Sequence, residues 1–348
     1  MSDFGYCCPN CFSGEYLRST IVSRSTLKGR CPFCQSLNQP LLFPSELVMD
    51  FIPIVDLYSI VKGGMSLAQC ISEDWDIWNP NLPMPMREYL LDRIVGQRIS
   101  AELFALKNRE ELIADAQTEW DLFSSGLKHE NRFFIQERLF LKHIKQFGNF
   151  LEQFRLKSVP KNFYRARINF DNEIFNIEDM YNPPPEKAQN GRANPRGISY
   201  LYTATTLDGA LHEVRPHIGA IVSVVELELK ELSLSNIIDL RFLPGMISPF
   251  DISDDLEAFS REIPFWKILD AEMSRAIAPH NTDIDYLPIQ YLCEYIKIQG
   301  FSGIAYKSVA NPTPDNFNIV FFSNQNISFN EIKRYRIDGN RLSSKQLL

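Results

Sequence analysis

GRANPRGISYLYTATTLDGALHEVRP, residues 191–216, is the stretch on which the reading of this chain turns. It opens as a polar loop carrying Arg192 and Arg196, with Gly191, Pro195 and Gly197 supplying the turns. Residues 198–204 come next as an apolar run of strand length, and Thr206 is placed to cap a helix in which Ala210, Leu211 and Val214 pack inward. That helix carries Glu213 about two turns in. A carboxylate between a strand end and an arginine-bearing loop is the arrangement expected where a sugar cation is stabilised beside phosphates. A surface glutamate on an amphipathic helix is the plain alternative, so what surrounds the stretch has to decide.

Upstream, residues 163–168 (FYRARI) read as a strand with Arg165 and Arg167 on one face, because side chains alternate with period two. The loop at 171–190, with Pro183, Pro184 and Pro185, reads as a mobile surface flap. Downstream, residues 220–229 form a strand, 251–280 and 287–299 form helices, and two strands, GIAYKSV (303–309) and NIVFFS (318–323), close the region. Ser308 falls at the end of the first of these. Tyr202 offers a ring for stacking and a hydroxyl, although a buried core tyrosine fits its place equally.

The N-terminal part is of a different kind. Five of the seven cysteines fall within the first 34 residues, and Cys8-Pro-Asn-Cys11 and Cys31-Pro-Phe-Cys34 form two knuckles separated by nineteen residues. That spacing lets four thiolates converge on one structural zinc ion, which folds a segment too short to bury a core. Cys7 competes with Cys8 for the first ligand position. Arg18, Arg24, Lys28 and Arg30 lie between the knuckles, on what reads as a solvated basic hairpin. From 45 to 158 the pattern is helical: Ile113, Trp120, Phe123 and Leu127 share one face, and Phe140, Ile144, Phe147, Leu151 and Phe154 repeat at helix spacing. Within it, Arg138 and His143 stand as Arg-x4-His, a pair that offers phosphate binding and acid–base cleavage of RNA as an alternative function.

Composition narrows the classes further. A net charge of -7 argues against wholesale nucleic-acid or membrane binding, while leaving a local basic groove open. The polar N-terminus and the lack of any run of eighteen apolar residues predict a cytoplasmic protein. No GxGxxG fingerprint occurs, and His212 and His217 do not support a Ser-His-Asp triad.

The order arginine, glutamate, serine (Arg165, Glu213, Ser308), with Asn194-Pro-Arg-Gly, Leu201-Tyr202, DYLPIQYLCEYIK (285–297), GIAYKS and NIVFF, resembles the RES-domain family over roughly residues 160–325. WDLF (120–123) followed by LKHENRFF (127–134) is similar, more loosely, to the HEPN-like helical domain fused to some RES domains. The resemblance implies an ADP-ribosyltransferase-like fold acting on NAD as substrate, in the manner of bacterial toxins that hydrolyse NAD, split it with phosphate, or transfer ADP-ribose to a protein. It implies Glu213, Arg165 and Ser308 as catalytic residues and Arg167, Arg192 and Tyr202 as substrate contacts. It brings an antitoxin or regulatory partner and a protein acceptor into consideration, with no membrane; nucleic acid stays open. The expected fold is α+β: a zinc ribbon (1–44), a central helical bundle (45–158) and a C-terminal mixed α/β catalytic domain (159–348).

Overall fold

The structure, a computed structural model, describes residues 5–96, 102–133, 142–170, 174–231, 236–242, 246–252, 255–277, 282–310, 315–338 and 344–347. The fold is α+β. Its helices are α1 (Glu15–Arg24), α2 (Val48–Val55), α3 (Leu67–Asp74), α4 (Met84–Val95), α5 (Arg109–Ser125), α6 (Lys142–Phe150), α7 (Leu207–Glu213), α8 (Leu256–Ser274), α9 (Thr282–Asp285) and α10 (Leu287–Ile298). Its strands are β1 (Leu27–Gly29), β2 (Gln39–Leu41), β3 (Tyr58–Met65), β4 (Phe104–Leu106), β5 (Asn162–Asn169), β6 (Leu201–Ala204), β7 (Ile221–Leu229), β8 (Ile237–Asp239), β9 (Gly303–Lys307), β10 (Phe317–Phe321), β11 (Ile327–Ile337) and β12 (Ser344–Leu347). Among the described residues no helix is long and apolar enough to cross a membrane.

The chain forms two compact units, one of residues 1–115 with 242–264 and one of 116–241 with 265–348, so the divisions fall inside α5 and α8. In the first unit the segment between the two cysteine knuckles is not the expected basic hairpin alone. Leu17 and Ile21, one helical turn apart, are fully buried and draw residues 15–24 into α1, and only then do β1 and β2 pair. Arg24 therefore projects from a helix, donating to the Glu46 carbonyl at 3.0 Å. The knuckles are tied to the segment at 78–79: Phe12 stacks on Trp78 with centroids 5.6 Å apart, and Asn79 N donates to the Cys11 carbonyl at 3.0 Å. The stretch whose pattern is helical throughout also contains the antiparallel β3–β4 pair. Ile113, on the inward face of α5 by spacing, is 46% exposed, whereas Trp120, Phe123 and Leu127 are buried as expected.

The second unit is built on an eight-stranded sheet of order β12-β11-β7-β5-β6-β10-β9-β8, antiparallel except for the β8–β9 pair. Alternation along β7 separates two cores. Val225 and Leu227 join Phe163, Leu201, Ile319 and Phe321 in one, and Val222 and Val224 join Ala166, Ala210 and Leu211 in the other. A helical cluster belongs to the same unit: Phe147 and Phe154 pack on Trp266 of α8, and Phe123 meets Tyr291 of α10 edge-on at 5.7 Å. Phe147, Leu151 and Phe154 are buried as their spacing predicts; Phe140 and the side chain of Ile144 lie outside the described residues.

Several elements differ from the sequence reading, the short strands β8 and β12 among them. β11 has no clear mark in the sequence, because a bulge between Phe329 and Ile332 breaks the period-two signal of a strand. Residues 174–190 do not form a free flap. Met180 is fully buried in the first of the two cores, and Asn176 and Asp179 close a capping box around a short turn.

Candidate active site

The site forms where the sheet comes apart. β5 pairs with β7 over its whole length, but it meets β6 at a single position, Tyr164 opposite Ala204. Beyond that point the Tyr202 carbonyl of β6 has no strand partner on this side. The Arg165 guanidinium supplies one, donating from Nη1 at 3.0 Å. The split opens a cavity of about 230 Å³, floored by Tyr164, Arg165 and Ala166 from β5 and by Tyr202, Thr203 and Ala204 from β6. Glu213 and Val214 close it from the end of α7, and Tyr306 and Asn318 from β9 and β10.

Thr206 caps α7 through its hydroxyl, which accepts from Gly209 N at 2.9 Å and donates to Asn316 Oδ1 at 2.8 Å. Gly209 leaves room for that asparagine, since a Cβ there would lie 1.9 Å from Asn316 Oδ1. The helix is only seven residues long, so Glu213 is its last residue and not one in mid-helix. A carboxylate at the carbonyl end of a helix is electrostatically disfavoured, and it needs donors. Ser308 Oγ and Asn318 Nδ2 provide them, each donating to Glu213 Oε1 at 2.8 Å. Both bonds converge on one oxygen. Among the described residues Oε2 accepts no hydrogen bond and remains free for a ligand.

Arg165 faces this carboxylate's cavity with an unusual burden. It is half-buried, its Nε has no hydrogen-bond partner, and no carboxylate is in ion-pair distance among the described residues. Burial first, and then the neighbouring charge of Arg167, pull its pKa down to about 10. It is therefore a cation at neutral pH with one donor, Nε, buried and without a partner among the described residues.

The polar loop is held from two sides. The Tyr202 hydroxyl donates to Asn194 Oδ1 at 2.6 Å and accepts from Ala193 N at 3.0 Å, while Gln290 Nε2 of α10 donates to the carbonyls of Gly191 and Asn194 at 2.7 and 3.0 Å. A Cβ at Gly191 would lie 2.5 Å from both Asn194 Oδ1 and the Tyr202 hydroxyl, so only glycine fits. The hydroxyl of Tyr202 is thus committed to the loop, and its ring is what faces the cavity.

Of the candidate residues, the structure brings Arg165, Tyr202, Glu213 and Ser308 together and leaves Arg167 and Arg192 outside the cavity wall. Arg167 lies over the Phe175 ring at 5.7 Å. Arg192 donates to the Arg275 carbonyl at 2.9 Å and lies over the Tyr286 ring at 5.1 Å. His212 is turned back along its own helix, with Nδ1 2.8 Å from the Asp208 carbonyl oxygen. Arg138 lies outside the described residues, as does the side chain of His143. Sequence reading misses Asn318 and Tyr306. A signal exists for both: Asn318 is the polar residue in the otherwise apolar run FNIVFF, and Tyr306 precedes Ser308, which follows β9 directly, by the two-residue period of an extended chain.

In the first unit, the sulfurs of Cys8, Cys11, Cys31 and Cys34 lie within 4.8 Å of one another, with Cys8–Cys34 at 3.4 Å and Cys11–Cys31 at 3.5 Å. A tetrahedral ion with bonds of about 2.3 Å sets its sulfurs about 3.8 Å apart, so the four fit a metal ion. Cys7 turns away toward the Leu42 carbonyl at 3.5 Å and is not one of the set. Four thiolates at this separation require a cation.

The split in the sheet thus brings a carboxylate, Glu213, and a guanidinium, Arg165, to the lining of one cavity. The chain belongs to the RES-domain family: residues 162–341, just over half of it, match the model for the RES domain. That family is associated with NAD-related toxin–antitoxin systems, which makes this in general terms an NAD-acting protein. No curated protein matches the chain.

Proposed function

We propose that the chain cleaves the nicotinamide–ribose N-glycosidic bond of NAD, as a glycohydrolase, phosphorylase or ADP-ribosyltransferase. The observation that carries this reading is the free Oε2 of Glu213, with Oε1 doubly anchored, facing a cavity whose other wall holds a guanidinium with a spare donor. Nicotinamide leaves from a positively charged N-glycoside: the C–N electron pair goes with the ring nitrogen, which becomes neutral, and the positive charge passes to the ribose as an oxocarbenium ion. No acid is needed for that departure. What lowers the barrier is a fixed negative charge beside the ribose, and Glu213 supplies it. Arg165 grips the pyrophosphate, the planar fork matching phosphate oxygens better than a lysine would. The Tyr202 ring offers a stacking surface. The acceptor, water, phosphate or a protein side chain, then donates a lone pair to the cation and releases its proton to solvent.

In this reading residues 159–348 carry catalysis, and residues 1–44 and 45–158 regulate it or deliver it to a target. Growth arrest through NAD loss makes the protein a bacterial toxin or defence effector, with an antitoxin or regulatory protein as its natural partner. The test is product analysis of NAD incubated with the purified full chain, with and without phosphate. Nicotinamide accompanied by ADP-ribose marks hydrolysis, and ADP-ribose 1″-phosphate marks phosphorolysis. Labelled ADP-ribose on protein marks transfer. Intact NAD under all conditions, at protein concentrations matching the substrate, would rule the proposal out.

The metal at the four cysteines is zinc in this proposal, since an all-sulfur, largely buried set suits a structural ion with no open position. Elemental analysis is expected to find one zinc per chain. Chelation should expose residues 7–42 to protease, because segments this short depend on the ion for their folding. A chain without metal but with the same protease resistance would contradict this.

A further inference from the structure

The cavity presents two polar groups that chemistry at the ribose does not use. Asn318 is 3% exposed, and its Nδ2 donates to Glu213 Oε1. A carboxylate only accepts, so the orientation of the amide is settled and Oδ1 must face elsewhere. Oδ1 is buried and has no hydrogen-bond partner among the described residues. Directly across the β9–β10 ladder from Asn318 stands Tyr306. The other two cavity tyrosines have committed hydroxyls, Tyr164 donating to Glu226 and Tyr202 to Asn194. Tyr306 and Asn318 line the cavity together, and among the described residues nothing accepts the Tyr306 proton.

An open O–H donor beside an orphaned C=O acceptor is the complement of a primary carboxamide, whose oxygen accepts and whose NH2 donates. We propose that Tyr306 and Asn318 form a subsite that reads the carboxamide of the departing base, so that the site selects the amide dinucleotide over its deamidated, carboxylate form. The inference rests on the NAD-cleaving function proposed above. A carboxylate placed here satisfies Tyr306 but brings no donor to Asn318 Oδ1, and it adds a negative charge next to Glu213. Burial, and then the charge of Glu213, push the Tyr306 phenol up, so it stays a donor through the physiological range. Sites built around buried polar atoms discriminate strongly, because the wrong ligand leaves those atoms unpaired.

The experiment compares two substrates on the full chain: nicotinamide release from NAD, and nicotinic acid release from nicotinic acid adenine dinucleotide. The expected ratio of kcat/KM is roughly tenfold to a hundredfold in favour of NAD. Free nicotinamide should compete with NAD where nicotinic acid does not. Tyr306→Phe, which removes only the hydroxyl, should shrink the ratio severalfold, chiefly by lowering efficiency on NAD. Equal cleavage of both dinucleotides overturns the subsite while leaving NAD cleavage standing; cleavage of neither overturns both. A Tyr306→Phe chain with the wild-type ratio removes Tyr306 from the subsite, and if that variant does not fold, the wild-type ratio and the competition between the two free bases decide alone.

Discussion

Glu213→Gln is expected to lower the rate of nicotinamide release by roughly a hundredfold or more, since one preorganised electrostatic contact at a developing charge is worth about that much. Glutamine keeps the shape of the side chain and an oxygen able to accept from Ser308 and Asn318, both of which now bond Glu213 Oε1 at 2.8 Å. What it removes is the negative charge, and it puts an NH2 where Oε2 faces the cavity. The loss should therefore fall on kcat, with KM for NAD changed little, because the charge on the ribose develops only in the transition state. Glu213→Ala is a harsher change that takes away the acceptor of the buried Asn318 amide, and it should also lower Tm. Nicotinamide release by the glutamine variant at more than a tenth of the wild-type rate would take Glu213 out of the chemistry.

Arg165→Met should separate function from stability. At neutral pH the wild-type chain carries a guanidinium whose pKa is drawn below the ordinary arginine range, to about 10, by burial and by Arg167. The folded pKa lies below the unfolded one, so the unfolded chain holds the proton more tightly. Stability accordingly rises with pH from about 10 up to the ordinary arginine range, and below that window the whole penalty is present, on the order of 3 kcal/mol. Methionine relieves it. Against this, the Tyr202 carbonyl loses the Nη1 bond that bridges the split between β5 and β6, at a cost of about 1–3 kcal/mol. The two effects nearly cancel, and Tm should stay within a few degrees of wild type. KM for NAD should rise roughly tenfold to a hundredfold, the worth of a charge-assisted contact to phosphate. An unaltered KM in Arg165→Met would mean that the guanidinium does not touch the substrate.

The arginines show how far spacing carries. Period-two alternation puts Arg165 and Arg167 on one face of β5, and nothing local distinguishes them. The difference arises because β6 pairs with β5 only at Tyr164, which leaves the Tyr202 carbonyl for Arg165 to reach, while Arg167 lies over Phe175. Arg192 is similar. It occupies a loop whose composition suits anion binding, yet the Arg275 carbonyl just after α8 and the Tyr286 ring just after α9 hold its guanidinium away from the cavity. Glu213 illustrates the same point on a smaller scale, since the length of α7 decided whether it would be a mid-helix surface residue or a helix-terminal one needing partners.

By itself the sequence determined the local matters: four cysteines at a spacing suited to one ion, a capped helix carrying a glutamate, and arginine, glutamate and serine in the order of the RES domain. These are legible because ligand spacing, capping and side-chain alternation depend on neighbours a few residues away. Only the tertiary structure decided that β6 lies between β5 and β10, which opens the sheet at one seam and sets Asn318 and Tyr306 beside Glu213. It alone decided which carboxylate oxygen stays free. Strand order is settled by burial summed over the whole sheet, and no short window of sequence contains that sum.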